Sequence, residues 1–148
     1  MSRRLDRLVL GVYWGSLALG LVLPWALDLG FHGPGLRRRL FAPGHNVFLI
    51  GVLNWVPFAA YAAFALLHLG PAERHGAPIV RRRLGGVAGA GLALVAASLW
   101  LHVAILTSRS STAAIGYLFL PLELLAVIPL GYAAGRLATR LWPVARSA

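Results

Sequence analysis

Glu123 is the residue best placed to do chemistry, because its carboxyl group lies inside the long apolar segment Ala113–Ala134. The chain has only 4 acidic residues, and the other three lie near segment ends or in a loop. A carboxylate at the centre of a membrane costs at least ~2.5 kcal/mol, so such residues usually face a bundle interior and have a partner. Its chemistry would be proton transfer or a strong hydrogen bond between helices.

Three uncharged polar residues lie at similar depths in three other apolar segments. At about 1.5 Å per residue, Asn54 lies roughly 10 Å, Ser98 roughly 12 Å, Glu123 roughly 15 Å and Ser16 roughly 16 Å from one common side. We therefore predict an interior cluster of Glu123, Asn54, Ser98 and Ser16, one from each helix. Either serine could instead bond to a carbonyl of its own helix, so the prediction depends chiefly on the amide and the carboxyl group.

A second polar pattern follows one face of the helix that carries Asn54. Asn54, Tyr61 and His68 are spaced by seven residues, so they share that face. This face could form a polar track with His102, which lies one turn beyond Ser98. The same spacing is also expected of any helix face that turns inward, with Tyr61 in the core and His68 at the headgroups.

Histidines raise the possibility of a bound haem or metal. His45 and His102 lie near one depth, and two imidazoles can hold a b-type haem. His45 falls outside the apolar segment, however, and no further histidine or carboxylate completes a metal set. A hydrogen-bonded or interfacial histidine pair explains the pattern better, and we predict no metal and no cofactor.

Recognisable catalytic patterns are absent from the sequence. It contains no cysteine, no P-loop, and no HExxH, GxSxG or GxGxxG motif. Ser98 and His102 are the only serine and histidine in register for a nucleophile and its base, and no aspartate accompanies them. We therefore expect that the protein is not an enzyme.

The composition indicates that these residues lie in helices that span a membrane. Hydrophobic residues make up 59% of the 148 positions and charged residues only 12%, about half the charged content of soluble chains. A helix needs roughly 20 apolar residues to span a bilayer, and four segments qualify. The predicted spans are 8–27, 47–69, 84–106 and 113–134.

The loops and their arginines predict the topology. The third link, Thr107–Thr112, is so short that the last two spans must be antiparallel neighbours, and Ser110, Ser111 and Thr112 are suitable helix caps. All 14 basic residues are arginine, and most fall on the side of the two termini. The positive-inside rule therefore predicts cytoplasmic termini. We expect Asp28, at the opposite interface, to pair with an arginine of Arg37–Arg39.

Small residues indicate how the spans pack. Glycines and alanines recur every four residues in three spans, which lets helices approach closely. The recurring residues are Gly85, Gly89, Ala93 and Ala97 in the third span, Gly131 and Gly135 in the fourth, and Gly11 and Gly15 in the first. We expect these stripes to serve internal packing rather than a dimer seam.

The sequence thus predicts an all-α bundle of four transmembrane helices forming a single domain, 1–148, in a bacterial plasma membrane. The leading hypothesis is a non-enzymatic accessory or regulatory subunit that acts through helix contacts with a larger membrane protein or with itself, and not with nucleic acid. The alternative is a small proton-coupled carrier that uses Glu123. A haem-binding electron-transfer subunit is a third possibility.

Overall fold

The structure is a computed structural model that describes residues 3–43, 46–69, 77–108 and 113–141. These residues form four long helices and one helical turn, and no strand occurs among them. The helices are α1 (Arg3–His32), α2 (Leu36–Arg39), α3 (Val47–Leu69), α4 (Ala77–Thr107) and α5 (Ala113–Leu141). All except α2 are long and apolar enough to cross a membrane, which confirms the predicted all-α bundle of four spanning helices.

The helices extend beyond the predicted apolar segments at most of their ends. α3 has the predicted bounds, whereas α1, α4 and α5 contain 30, 31 and 29 residues. A helix retains its backbone hydrogen bonds where the chain leaves the hydrocarbon, so hydropathy marks only its central part. Ser110, Ser111 and Thr112, the predicted caps of α5, lie outside the described residues.

Two of the four long helices, α3 and α4, form a central pair. α3 and α4 pack against each other, and each also packs against both α1 and α5. α1 and α5 therefore lie on opposite sides of the α3/α4 pair. Four spans bring both termini to one end of the bundle, called here the terminal end. The other end, which carries α2, is called the α2 end.

The closest helix contact is the seam between α4 and α5, where two of the glycine stripes meet. A Cβ atom added at Gly89 would lie 2.5 Å from the carbonyl oxygen of Gly131 and 2.7 Å from the Cα atom of Gly135. One added at Gly131 would lie 2.7 Å from the Cβ atom of Ala93. Backbone thus packs directly on backbone, as small residues allow in membranes.

Gly11 and Gly15, the glycine stripe of α1, serve no such seam. A Cβ atom at Gly11 or Gly15 would meet nothing within 4 Å, so the expectation of internal packing is wrong for this pair. The four-residue spacing is the same as in α4, but this part of α1 turns a different face inward. Val9, Tyr13 and Ser16 are its buried residues, and the two glycines lie beside them on the exposed surface.

This contrast supplies a matched pair of variants. Gly89→Ala should lower the free energy of unfolding by about 2 kcal/mol, since two backbones would have to separate to admit one methyl group. Gly15→Ala should leave it unchanged or raise it by up to about 1 kcal/mol, because alanine favours the helix and the space is open. Unfolding of both variants in detergent, followed by circular dichroism, measures the difference; equal stability would contradict the described seam.

Candidate functional site

The side chain of Asn54 joins three helices in the bundle interior. Its Nδ2 donates a hydrogen bond to the carbonyl oxygen of Gly20 at 2.7 Å, and its Oδ1 accepts one from the Ser98 hydroxyl at 2.8 Å. Both polar side chains are fully buried. We call the group Gly20, Asn54 and Ser98 the interior junction. The structure thus brings two of the four residues of the predicted cluster into direct contact.

Proline explains why a carbonyl of α1 is available to Asn54. The carbonyl of Gly20 would normally accept from the residue four positions later, which is Pro24 and has no N–H. Neighbouring helices commonly satisfy carbonyls freed in this way. α3 does so with Asn54, and Trp55 donates from its Nε1 to the next carbonyl, that of Leu21, at 3.3 Å. The spacing of Gly20 and Pro24 is a sequence signal from which this acceptor could have been predicted.

A double-mutant cycle tests this explanation. Asn54→Ala should lower the free energy of unfolding by about 2 kcal/mol, because the Gly20 carbonyl and the Ser98 hydroxyl both lose a buried partner. In a Pro24→Ala background the same substitution should cost clearly less, since the backbone N–H that the alanine restores can then bond to Gly20. Unfolding of the four proteins in detergent gives the coupling energy. Additive effects would show that the proline does not create the acceptor.

Ser16 is buried but belongs to a different layer. A Cβ atom added at Gly91 would lie 2.7 Å from the Ser16 Oγ atom and 2.5 Å from the Tyr61 hydroxyl, so the two hydroxyl groups flank this glycine. Tyr61 donates to the carbonyl oxygen of Val87 at 3.0 Å. The serine therefore lies nearer the terminal end than the interior junction, and Asn54 bonds to Gly20 and Ser98 instead.

Glu123 departs from the predicted cluster, because it is exposed on the outer surface of α5. The inner face of this helix is set by Leu120, Leu124 and Ile128, which are buried at four-residue intervals. Glu123 lies about 100° around the helix from Leu124. No residue that the structure describes forms a hydrogen bond or ion pair with its carboxyl group.

The proposed polar track is not a continuous chain of hydrogen bonds. Tyr61 bonds to a helix carbonyl, as described above, and the Nδ1 atom of His68 lies 2.8 Å from the carbonyl oxygen of Phe64. The His68 ring also packs against Tyr132, with centroids 4.8 Å apart. His102 lies in the other half of the bundle. Each histidine thus bonds to a carbonyl of its own helix, whereas Tyr61 bonds to α4 and belongs to the hydrophobic core with Phe58 and Leu94.

His102 has one ring nitrogen with a partner and one without. Its Nδ1 lies 2.8 Å from the carbonyl oxygen of Ser98, so Nδ1 donates and Nε2 is left as an acceptor. Nε2 is buried and has no partner among the described residues, as is also true of the Trp25 indole nitrogen. Ser98 meets this histidine through its carbonyl, while its hydroxyl bonds to Asn54. The arrangement therefore does not form a nucleophile and base pair.

The haem hypothesis cannot be assembled from the described residues. His45 lies outside them, so the geometry of the proposed histidine pair is not defined. Within the described ranges, no group of three or more histidine, aspartate or glutamate side chains could hold a metal ion. His102 is only 1% exposed and its ring packs against Tyr117.

Asp28 forms a buried ion pair at the α2 end. Its Oδ2 accepts from Arg39 Nε at 3.0 Å and from Arg39 Nη2 at 2.8 Å, and its Oδ1 lies 3.2 Å from His32 Nδ1. Arg39 also donates to the carbonyl oxygen of Gly33 at 2.8 Å. The expected pairing of Asp28 with one arginine of the triplet is thus present, and it fastens α2 to α1.

The described residues therefore supply an interior held by hydrogen bonds and, outside it, one carboxyl group that is exposed within a spanning helix. Polar side chains hold the helices together at the interior junction and at Asp28, while the carboxyl group of Glu123 faces away from the bundle. Comparison of this chain with protein-family models, with curated proteins and with solved structures finds no match.

Proposed function

We propose that this protein is a non-enzymatic accessory or regulatory subunit that binds a larger membrane protein through the outer surface of α5. The observation that carries the proposal is the exposure of Glu123 within an apolar span. It lies eight residues after the start of the span Ile115–Leu141, about 12 Å along the helix. A carboxylate at that depth needs a partner, and the described part of the bundle offers none.

The residues around Glu123 have the spacing of a helix–helix seam. Steps of four, three, four and four residues align five exposed side chains on one face, called here the Glu123 face. Its members are Phe119, Glu123, Ala126, Leu130 and Ala134. Such a stripe fits against one facing helix. The alanines allow close approach, and one polar residue in the stripe can bond across the contact and fix its register.

The charge of Glu123 favours a partner of a different sequence. In a symmetric pair of α5 helices, each carboxyl group would meet its copy, and like charges repel. A helix with an arginine, lysine or amide side chain at matching depth would instead supply a donor. The described arginines of this chain lie near helix ends, away from the depth of Glu123. We therefore infer a second protein that carries a hydrogen-bond donor inside the membrane.

The proton-coupled carrier remains the alternative, but it has lost its main support. That hypothesis needs Glu123 beside a hydrated interior, with Asn54, Tyr61 and Ser98 lining a path. Glu123 is exposed on the outside, and the other three side chains are buried in hydrogen bonds to neighbouring helices. The four apolar helices support a multi-pass location in a membrane, and we propose a bacterial plasma membrane as the setting for the accessory role.

Site-specific photo-crosslinking in cells tests the proposal. A benzophenone amino acid at Leu130, on the Glu123 face, should yield one dominant adduct with another membrane protein, identified by mass spectrometry. The same probe at Leu92 serves as the control, because this residue is also exposed but lies on α4. Adducts only with copies of this chain would replace the proposal with self-association. Equal, diffuse adducts at both positions would contradict a specific interface.

A further inference from the structure

A groove lies on α5 near the terminal end of the bundle. It has a volume of about 320 Å³ and is lined by Tyr132, Ala133, Arg136, Leu137 and Arg140. Two of these residues carry guanidinium groups, one carries a phenol and two are apolar. All five belong to the last three turns of a spanning helix, where it leaves the hydrocarbon. We call this the Arg136 groove, and it lies beside the Glu123 face.

The packing around Arg136 holds the groove in shape. Its guanidinium carbon lies 5.6 Å from the centre of the Tyr132 ring. Gly86 of α4 leaves the space that these side chains occupy, since a Cβ atom there would lie 2.5 Å from the Tyr132 ring and 3.0 Å from the Arg136 Cγ atom. The tyrosine is in turn fixed by an edge contact with Phe64, with centroids 5.1 Å apart.

The chemistry of this lining fits a phosphodiester attached to an apolar chain. Arginine recognises phosphate through paired N–H donors, and no carboxylate is among the residues that line the groove. Arg136 is half-buried and Arg140 exposed, so both are open to a ligand from the interface. Ala133 precedes Arg136 by three residues and so lies on the hydrocarbon side of the groove, where an acyl chain would continue, while Leu137 adds apolar surface between the two arginines.

We propose that the Arg136 groove binds the headgroup of one anionic phospholipid. The two guanidinium groups contact the phosphate, Tyr132 packs beside the glycerol backbone, and Ala133 contacts the first acyl carbons. Basic pockets at the interface commonly hold such headgroups. The site is independent of the partner proposed for the Glu123 face, because its ligand comes from the bilayer itself.

Native mass spectrometry of the purified chain with added phosphatidylglycerol tests this site. We expect one tightly retained lipid, and we expect Arg136→Gln to weaken its binding about fivefold. Arg82→Gln is the matched control, since Arg82 is an exposed arginine at the same end of the bundle that does not line the groove; it should change the affinity less than about twofold. Phosphatidylcholine should not be retained.

Three outcomes would overturn the proposal. Equal losses in the Arg136 and Arg82 variants would indicate diffuse attraction rather than a site. Displacement of the lipid by millimolar inorganic phosphate would identify a site for a soluble anion. Equal retention of phosphatidylcholine would remove the charge requirement. Should Arg136→Gln fail to fold, Arg136→Lys keeps the charge but loses the planar contact with Tyr132, and it should bind the lipid with intermediate affinity.

Discussion

Arg39→Gln is expected to lower the free energy of unfolding by about 3 kcal/mol, which is the largest loss of stability we predict from a single substitution. The Asp28 side chain is only 4% exposed and the Arg39 side chain 20%. Removal of one member of a buried ion pair typically costs about 3–5 kcal/mol, because the other charge is left without compensation. The lower end of this range applies here, since His32 still faces the carboxylate. Unfolding in detergent measures the loss.

The neighbouring arginine provides the control for this prediction. Arg38 belongs to the same turn of α2 and is exposed, so Arg38→Gln removes the same charge without disturbing Asp28. Its effect on stability should stay within about 0.5 kcal/mol. If both variants were equally stable, the Asp28 ion pair would have no role in holding α2 against α1.

Glu123→Leu is expected to leave the isolated bundle at least as stable as the wild type and to have the largest effect on binding of the partner. The variant removes an ionisable group from an apolar surface, so insertion should become easier by about 2.5 kcal/mol and the bundle should unfold no more readily. Partner binding should weaken about a hundredfold, because a donor on the partner would be buried without its acceptor. Binding of the purified partner in detergent gives the affinity, and circular dichroism gives the stability.

Two further variants make this prediction specific. Glu123→Gln retains hydrogen-bonding capacity and should keep part of the affinity. Leu118→Ala changes an exposed residue of the same helix outside the Glu123 face and should bind the partner as the wild type does. A Glu123→Leu protein that bound normally, or that lost its fold, would show that the carboxyl group acts in some other way.

The sequence predicted the features that depend on length, depth and short range. Four apolar segments of spanning length led directly to the four long helices. The similar depths of Asn54 and Ser98 predicted their contact, because a buried amide in a membrane must find a partner on another helix. Asp28 and the arginine triplet were close enough in sequence to suggest their ion pair.

The rotation of each helix about its axis was harder to predict. Membrane helices are apolar on all sides, so hydropathy does not distinguish the inner face from the lipid-facing one. Glu123 was expected inside because the rule for intramembrane charges assumes that the chain supplies its own partner. For the same reason, the glycine stripes of α1 and α4 were indistinguishable in sequence, although only the stripe in α4 packs against a neighbour. The freed carbonyl at Gly20 is the opposite case, because a known rule applied to Pro24 would have found it.

The described geometry divides the molecule into a part that holds the fold and a part that is available to partners. Interhelical hydrogen bonds connect α1, α3 and α4 at the interior junction, and the glycine seam fastens α5 to α4. This packing fixes the orientation of α5, so the Glu123 face points away from the other three helices. The proposed accessory role would use this combination of a bundle that holds itself together and one surface that lacks a partner.

Affinity purification from native detergent, comparing the tagged wild type with Glu123→Leu, is the decisive test of the proposed assembly. We expect a larger membrane protein to accompany the wild type in a fixed ratio, as quantified by mass spectrometry, and to be lost from a variant that is equally abundant and folded. If the wild type is recovered alone or only with copies of itself, or if both proteins retain the same partner, the role of Glu123 in assembly is contradicted.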